Sequence, residues 1–463
     1  MNINKIKNSL PAFTAFFYIT AIFLSLPQNV QASDVKTLVE KVIERNYDLK
    51  QARSFMQQAS DESKLAKSMI YPKLSFEMSL VRSDDPVFAF GSYLRQSRFS
   101  QSNFDIDKLN SPGPVDDFTA SVSAGIPIYT AGKIAFGIKN AKTNIARSGQ
   151  QEIMTRNNIM MSVLERYFAA LRFKETAASA VDAEKFAKSE INDARALTAH
   201  GMAPGAEYYG AEAVARSVSA ARIESESGYE NAAAALAIMA GETQIYFSSD
   251  TKIPEKEYFV EPLENLTAKA VEMRSDINIA RLQQSTVNDA LGVEKNNALP
   301  SVHAFGKIQT DSYDTKYMPG HYTVGVQLSM PLFDQSHSFK VNMAEEQFRQ
   351  SNINLSSIKE QTSIEVSNAY INYKSSIKAL KEMREARKQA EKSVKMMRVL
   401  YKQGKVSVLD ILRAEEQFLS VQAAFFKAAY NMNTAYVSLM YVSGQLSLET
   451  VKTINDAIQE ARQ

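Results

Sequence analysis

Histidine and cysteine, which often carry catalysis or bind metals, are sparse in this chain, with four histidines and no cysteine. None of the histidines lies at a spacing typical of a metal site or beside a paired nucleophile. The sequence also has no Walker loop, no dinucleotide fingerprint and no G-x-S-x-G elbow. We therefore predict that the protein is not an enzyme and binds no cofactor or metal. We expect each of the four histidines to be a loop or lumen residue: His200, His303, His321 and His337.

One charged position has a spacing that predicts a definite local contact. Ser407-x-x-Asp410 stands at the expected start of a helix. A hydroxyl followed three residues later by an acid is typical of a capping box, in which the two residues satisfy each other's backbone N–H groups. The spacing therefore predicts a helix start at Ser407 and a structural use for the carboxylate of Asp410.

The chain contains no cysteine. This excludes disulfides, thiolate metal sites, thiol nucleophiles and an N-terminal lipid attached to cysteine. An exported protein without cysteine fits a bacterial envelope, where other means of stabilisation are available.

The N-terminus reads as an export signal. Lys5 and Lys7 precede an apolar run over about 11–26, and Val30-Gln31-Ala32 follows, which predicts a signal peptide over 1–32. An N-terminal membrane anchor is the alternative, but the run is short and prolines bracket it. The signal holds two lysines and no acid, so 51 of the 53 basic residues remain against 51 acidic ones. Such a balanced chain argues against nucleic acid as a partner.

The mature chain consists of two similar halves, which form an internal repeat. Leu38 to Pro72 aligns without a gap on Leu266 to Pro300, and "GIPIYTAGK" aligns on "SMPLFDQSH" further along. Further along, Gly201 aligns on Gly404, each in a predicted turn. The first half differs by carrying a longer loop before Pro127. Each half therefore reads helix, strand, loop, strand, very long helix, glycine turn, helix.

Each half contains two stretches in which apolar and polar residues alternate. These predict strands at about 72–84, 116–128, 300–310 and 321–332. Their length is that of a tilted strand spanning a bilayer, about 9–11 residues. The alternative is a soluble sheet with one face on a core, but no helix lies between the strands of a pair to cover them.

Four strands are too few to close a membrane barrel, since the smallest has about eight. An open edge in lipid would leave backbone groups unpaired. We therefore expect copies of the chain to assemble. Two copies would give eight strands and three copies would give 12, and the residues themselves do not distinguish a dimer from a trimer.

The predicted helices are too long for a compact domain. Residues 339–403 contain neither Gly nor Pro, and their counterpart at about 131–199 contains no Pro. The shorter pieces are expected at 36–70, 204–241, 263–298 and 407–443. Packed end to end in pairs, they would match the long helices in length and could run antiparallel to them in coiled-coil fashion.

These elements divide the chain into five parts, with a mid-height collar predicted between the stacked helices. The parts are the signal peptide 1–32, a first repeat 33–241, an equatorial linker 242–262, a second repeat 263–443 and a C-terminal equatorial tail 444–463.

The combination resembles the TolC-type outer membrane factor family. The resemblance lies in the tandem halves, in the steps Pro127-Ile128-Tyr129 and Pro331-Leu332-Phe333 from strand to long helix, and in "YKQGKVSVLDILRAEEQF" at 401–418. It implies a mainly α protomer with a small antiparallel β portion, three copies of which form a 12-stranded outer membrane barrel on a periplasmic α-barrel. It also implies a passive duct for efflux or type I secretion, coupled through a periplasmic adaptor to an inner-membrane transporter.

The resemblance also implies roles for residues at the end of the helices that lies far from the strands. The two turns, at Gly201 and Gly404, would form the periplasmic tip, and Met202, Ala203, Lys405 and Val406 would contact the adaptor. Asp410 matches a ring of aspartates that narrows the pore, but it could equally serve only as the cap described above. Arg413 stands where the family often has a second acid, which puts the cation preference in doubt.

A latch between neighbouring helices is also implied by the resemblance. Tyr401 and Glu207 match positions that help hold the tip closed. The family's basic partner is replaced by Val406, so the latch would be weaker or routed through Lys405.

A different class of function fits the long helices as well. A structural or adhesive coiled-coil trimer anchored in the outer membrane would transport nothing, although it would be expected to keep strands and helices in separate blocks. The exported cargo stays open among drugs, metals and proteins.

Overall fold

The computed structural model describes residues 34–202, 204–314 and 317–462. The predicted signal peptide and Ala203 lie outside the described residues. The helices are α1 Val35–Arg45, α2 Tyr47–Ser68, α3 Pro86–Arg95, α4 Ile106–Asn110, α5 Lys133–Ala199, α6 Gly205–Ala240, α7 Leu263–Met273, α8 Ser275–Asn296, α9 Ser336–Lys402, α10 Val408–Val442 and α11 Leu448–Arg462. The strands are β1 Lys73–Ser83, β2 Val115–Tyr129, β3 Ser301–Ser312 and β4 Gly320–Ser329.

The two halves repeat the same series of elements. Each contains two short helices in succession, two strands, a long helix and a return helix. The long helices α5 and α9 are both 67 residues long, which corresponds to about 100 Å at 1.5 Å per residue. The fold is thus a mainly helical tandem repeat with a small antiparallel sheet. The boundaries given above for the repeats, the linker and the tail stay predictions.

The helices expected over 36–70 and 263–298 are each divided in two, which corrects the prediction of continuous helices. Asn46 separates α1 from α2, and its side chain accepts hydrogen bonds from the backbone N–H groups of Asp48 at 2.8 Å and Leu49 at 3.1 Å. Arg274 separates α7 from α8 with nearly the same extended backbone. The two residues are equivalent in the repeat, and Asn is among the best N-cap residues.

The strands form a single antiparallel sheet in the order β1-β2-β3-β4. The register aligns the apolar positions of all four strands, as in the series Phe76, Val122, Ile308 and Tyr322. The neighbouring series Ser75, Ser123, Lys307 and Thr323 aligns on the opposite face. One face is therefore apolar and the other polar.

The segment between β1 and β2 was expected to be a loop, but it is partly helical. It contains α3, a 3-10 turn at Gln101–Phe104 and α4. Asp85 caps α3 by accepting from the backbone N–H of Phe88 at 2.8 Å, and Pro86 occupies the first turn, where its missing N–H costs nothing. Helix α3 lies against the sheet near the ends of β2 and β3 that face away from the long helices.

The largest buried apolar cluster surrounds the middle of α5 and α9. It also takes in residues of α1, α2, α6, α7, α10, α11 and the segment between α6 and α7. Tyr258 fixes this segment, since its backbone N–H donates to the Tyr373 hydroxyl at 2.8 Å and its own hydroxyl donates to Asn433 at 2.7 Å. The described helices include none that is both long and apolar enough to cross a membrane.

Candidate functional site

The candidate site is the far end of the helices, where the two long helices reverse. Gly201 and Gly404 both adopt left-handed backbone, with φ of +71° and +65°. The backbone N–H of Met202 donates to Leu197 at 2.9 Å, and that of Lys405 donates to Leu400 at 3.0 Å. Together with bonds from the two glycine N–H groups, these contacts make both turns Schellman motifs. The two halves therefore present the same turn at the same end.

The side chains proposed for adaptor contact lie around these turns. Met202 is 68% exposed, an unusual position for an unbranched apolar side chain. Lys405 is exposed and Val406 is half-buried. Ala203 lies outside the described residues. A docking role for these positions stays a prediction.

Asp410 takes part in the capping box predicted by its spacing. One carboxylate oxygen accepts from the Ser407 backbone N–H at 3.1 Å and from its hydroxyl at 2.9 Å, while the Asp410 N–H donates to the Ser407 hydroxyl at 3.2 Å. The Asp410 side chain is nevertheless exposed, as is that of Arg413 in the next turn of α10. The cap is thus present, and a pore-lining role for either residue stays a prediction.

Small residues allow the tip helices to pack closely. The cluster beneath the turns consists of alanines on α5 and α6 that meet two larger residues at the start of α10: Ala187, Ala194, Ala211, Ala215, Val408 and Leu412. At Gly210 of α6, an added Cβ would lie 3.0 Å from the Leu409 side chain. The first turn of α10 is therefore seated directly against α6.

Tyr401 lies in an acidic environment at the end of α9. Burial and a contact with Glu190 of α5 raise the pKa of its hydroxyl. The nearby carboxylates of Asp193 and Glu207 act in the same direction. Tyr401 and Glu207 were expected to belong to one latch and they do lie within electrostatic range. Glu190 and Asp193 were not anticipated from the sequence, because their proximity to Tyr401 depends on how α5 and α9 are arranged around α10.

Further polar contacts hold the helices together above the tip. Arg398 pairs with the buried carboxylate of Glu415 at 2.6 Å, which links α9 to α10. Arg195 donates to the Tyr208 hydroxyl at 3.1 Å, which links α5 to α6. Hydrogen bonds from Ser219 and Lys188 lower the pKa of Glu184 to about 2. The links between helices, Arg398–Glu415, Arg195–Tyr208 and Ser219–Glu184, were also missed from sequence, since the sequence does not show which helices are neighbours.

The four histidines are scattered. His200 follows α5 at the tip, His337 lies in the first turn of α9, and His303 and His321 belong to the polar face of the sheet. No group of His, Asp or Glu able to hold a metal ion occurs in the described part of the chain.

Comparisons with known proteins agree with this architecture. The sequence matches the model of the family described as outer membrane efflux protein over residues 38–242 and 266–445. The two matched blocks lie in the two halves of the repeat. No curated protein matches the sequence.

Several solved structures share the fold. The outer membrane channel CmeC of Campylobacter jejuni has 17% identity and a TM-score of 0.76, with 98% of each chain covered. The outer membrane protein VceC of Vibrio cholerae has 17% identity and a TM-score of 0.72, covering 89% of this chain and 96% of its own. The MtrE outer membrane channel of Neisseria gonorrhoeae, in its open state, has 16% identity and a TM-score of 0.72, with 89% of each chain covered.

Proposed function

The chain belongs to the outer membrane efflux protein family, and from this premise we propose that it is a passive trimeric duct through the outer membrane and periplasm. In this proposal the tip of the helices docks to a periplasmic adaptor, which couples the duct to an inner-membrane transporter. The protein is an outer membrane protein that extends into the periplasm, and its family is one of channels, not of enzymes.

The observation that carries the proposal is the amphipathic sheet. Its apolar side chains are mostly exposed in a single chain: Leu74, Phe76, Met78, Leu80, Val122, Ile308, Tyr322, Val324, Val326 and Leu328. Burying them in lipid requires the sheet to close, because unpaired backbone at the β1 and β4 edges would cost several kcal/mol per group. Joining β4 of one copy to β1 of the next closes the sheet and directs the polar face inward.

The long helices support an assembly of the same symmetry. Large apolar side chains are exposed along α2 and α9 of a single chain: Phe55, Leu65, Phe339, Met343, Ile353, Ile371 and Met396. Exposed large apolar side chains that recur along helices gain free energy when a neighbouring copy removes them from water. Neighbouring copies packed side by side would cover it and would continue the barrel as a helical tube about 100 Å long.

The chain's own chemistry supports the proposed coupling to a transporter. The sequence carries no nucleotide-binding loop, so a passive duct must draw directionality from a partner. The exposed Met202 and Lys405 next to the two tip turns are suited to docking an adaptor.

Two measurements test the proposal together. The mass of the purified protein in detergent should correspond to three chains, and the protein should conduct ions across a planar bilayer. A trimer that never conducts, even with the tip turns loosened, would instead indicate a structural stalk. Crosslinking in membranes from residue 202 or 405, followed by affinity capture, should recover an adaptor and a transporter.

A further inference from the structure

The segment 84–114 covers part of the polar face of the sheet. It follows β1 and precedes β2, so it lies at the end of the strands away from the long helices. Helix α3 contacts β2 and β3, and its contacts reach Asp117 and Asp311. Asp311 lies beside Gln309 and Thr119, which share the polar face. The second half has only the short connection between β3 and β4 at this end.

Arg95, at the end of α3, bridges two strands of the sheet. Its guanidinium lies 3.1 Å from the Asp117 carboxylate on β2 and 3.3 Å from that of Asp311 on β3. Gln96 adds a bond of 2.8 Å to Asp117 and another of 2.8 Å to the Asp116 carbonyl. Ser92 also donates to Asp117, at 3.1 Å.

The two carboxylates are buried beneath the segment. Asp117 is 2% exposed and Asp311 is 0% exposed. Buried charges of the same sign require a compensating partner, and removing one member of a buried ion pair is strongly destabilising. Arg95 is the cation that faces both, so the position of α3 determines whether this charge is balanced.

Two further contacts join the segment to β4 and to the residues just after β3. The Arg98 guanidinium lies 3.7 Å from the centre of the Tyr313 ring, just after β3. The Nε2 of His321 on β4 lies 2.7 Å from the Arg95 carbonyl oxygen, within hydrogen-bonding distance. The segment therefore spans the sheet from β2 to β4 and is held at several points.

We propose that residues 84–114 form a cap inside the outer mouth of the pore, held in place by Arg95 between Asp117 and Asp311. The cap is a second constriction, at the opposite end of the duct from the helical tip, and three copies would crowd the mouth together. This inference rests on the proposed function, because the polar face is a lumen only if the sheet closes into a barrel.

Solute access to a residue below the cap tests the inference directly. Ser75 lies on the polar face of β1. It is about six residues, or about 20 Å, closer to the long helices than the position paired with Asp117, which the cap holds. The chain has no native cysteine, so Ser75→Cys gives a single thiol. A maleimide too bulky for general porins, added outside intact cells, reports access through the mouth.

The thiol should react slowly in the native background and about tenfold faster with Arg95→Ala, since a loss of about 1.4 kcal/mol shifts an equilibrium tenfold. A variant in which a short Gly-Ser linker replaces residues 86–112 should react fastest. This linker is feasible because Ser83 and Val115 are paired neighbours. Arg82→Ala, which breaks the exposed pair with Asp116 at 3.7 Å, is the matched control and should leave the rate unchanged.

Each other outcome contradicts a specific claim. If the thiol reacts as fast in the native background as in the linker variant, the segment does not restrict the mouth and the cap is wrong. If it stays unreactive in the linker variant too, the polar face is not a water-filled lumen, and the proposed duct fails along with the cap. Val122→Cys, on the apolar face, should remain unreactive in every background.

Discussion

At the scale of single residues, Asp410 combines two properties that can be separated chemically. Its carboxylate closes the capping box with Ser407, yet the side chain is exposed, and in the proposed trimer symmetry would place three copies at one height. Carboxylates in a ring favour cations in a pore. Asp410 is the third residue of α10, and its oxygen accepts the Ser407 backbone N–H. The amide oxygen of asparagine can accept the same bond, so the charge can be removed while the capping box is kept.

We predict that Asp410→Asn and Asp410→Ala both reduce the cation preference of the channel, as measured by the reversal potential in a salt gradient. Only Asp410→Ala should also lower stability, by about 1 kcal/mol for the lost hydrogen bond to the Ser407 backbone N–H. Ser407→Ala is the matched control, because it weakens the cap and keeps the charge. Unchanged selectivity in Asp410→Asn would leave capping as the role of Asp410.

Tyr401 predicts a pH dependence at the tip. Burial and the nearby acids raise the pKa of its hydroxyl above the ordinary value of 10.0. The folded state therefore holds this proton more tightly than the unfolded chain, so the stabilisation is complete below pH 10 and declines as the pH rises above it. The tip should loosen in that range.

A fluorophore at Met202→Cys can follow this loosening by its anisotropy. The native chain should lose anisotropy as the pH rises above about 10, whereas Tyr401→Phe, which keeps the ring and removes the hydroxyl, should show no such step. Tyr209→Phe is the control, since Tyr209 is exposed at the same end and its removal should preserve the step. An identical step in Tyr401→Phe would show that another group titrates.

At the scale of elements, the two tip turns need glycine for its backbone conformation and not because a larger side chain would clash. Gly201 and Gly404 have left-handed backbone, and a Cβ at either position would meet nothing within 4 Å. We predict that Gly404→Ala or Gly201→Ala costs about 1–2 kcal/mol. Hydrogen exchange of the turn should then accelerate about 5–30-fold.

Gly205 provides a control on the same tip. It begins α6, and its added Cβ would likewise contact nothing within 4 Å, but its backbone is not left-handed. Gly205→Ala should be neutral or stabilise by about 0.4–1 kcal/mol. Equal losses at Gly201 and Gly205 would argue against the conformational explanation.

Elements whose signal is local were predictable from sequence. The alternation from Leu74 to Leu80 indicates β1 because a strand presents alternate residues to opposite faces. The long stretch without Gly or Pro indicates α9 for the same kind of local reason. The division at Asn46 was missed, although Asn before an acidic residue is a helix-start signal, because the apolar periodicity continues across it.

Features that depend on distant partners could not be predicted. The segment 84–114 appeared as a polar loop, since α3 gains its position from Asp311, which is more than 200 residues away in the chain. Tyr401 meets Glu190 only because α5 and α9 both pack against α10. Spacing within one element carries no information about such contacts.

At the scale of the whole molecule, buried apolar contacts are distributed unevenly along its length. The large cluster at mid-height joins eight helices, whereas the tip rests on a small cluster rich in alanine. Regions with few buried apolar contacts open at lower free energy than the main core. This difference would let the tip move while the middle of the helices stays folded, as the proposed gate at that end would require.

The closed barrel makes the sharpest prediction for the assembled protein, because adjacent residues of one strand should differ in tolerance to charge. Val324 is 74% exposed on the apolar face of β4, and Thr323 points to the polar face. A lysine facing lipid near the bilayer midplane costs about 2–4 kcal/mol per chain, and the proposed trimer would carry three of them in one barrel. Val324→Lys should therefore deplete the outer membrane fraction of folded trimer, whereas Thr323→Lys should assemble normally.

The conductance of the assembled variant then tests the other face of the same strand. Lysine at position 323 would place three positive charges in the lumen, which should lower the preference for cations measured by the reversal potential. Val324→Leu controls for the change of side chain without charge and should insert as the native protein does. If both lysine variants insert equally well, the apolar face does not meet lipid and the barrel cannot close as inferred.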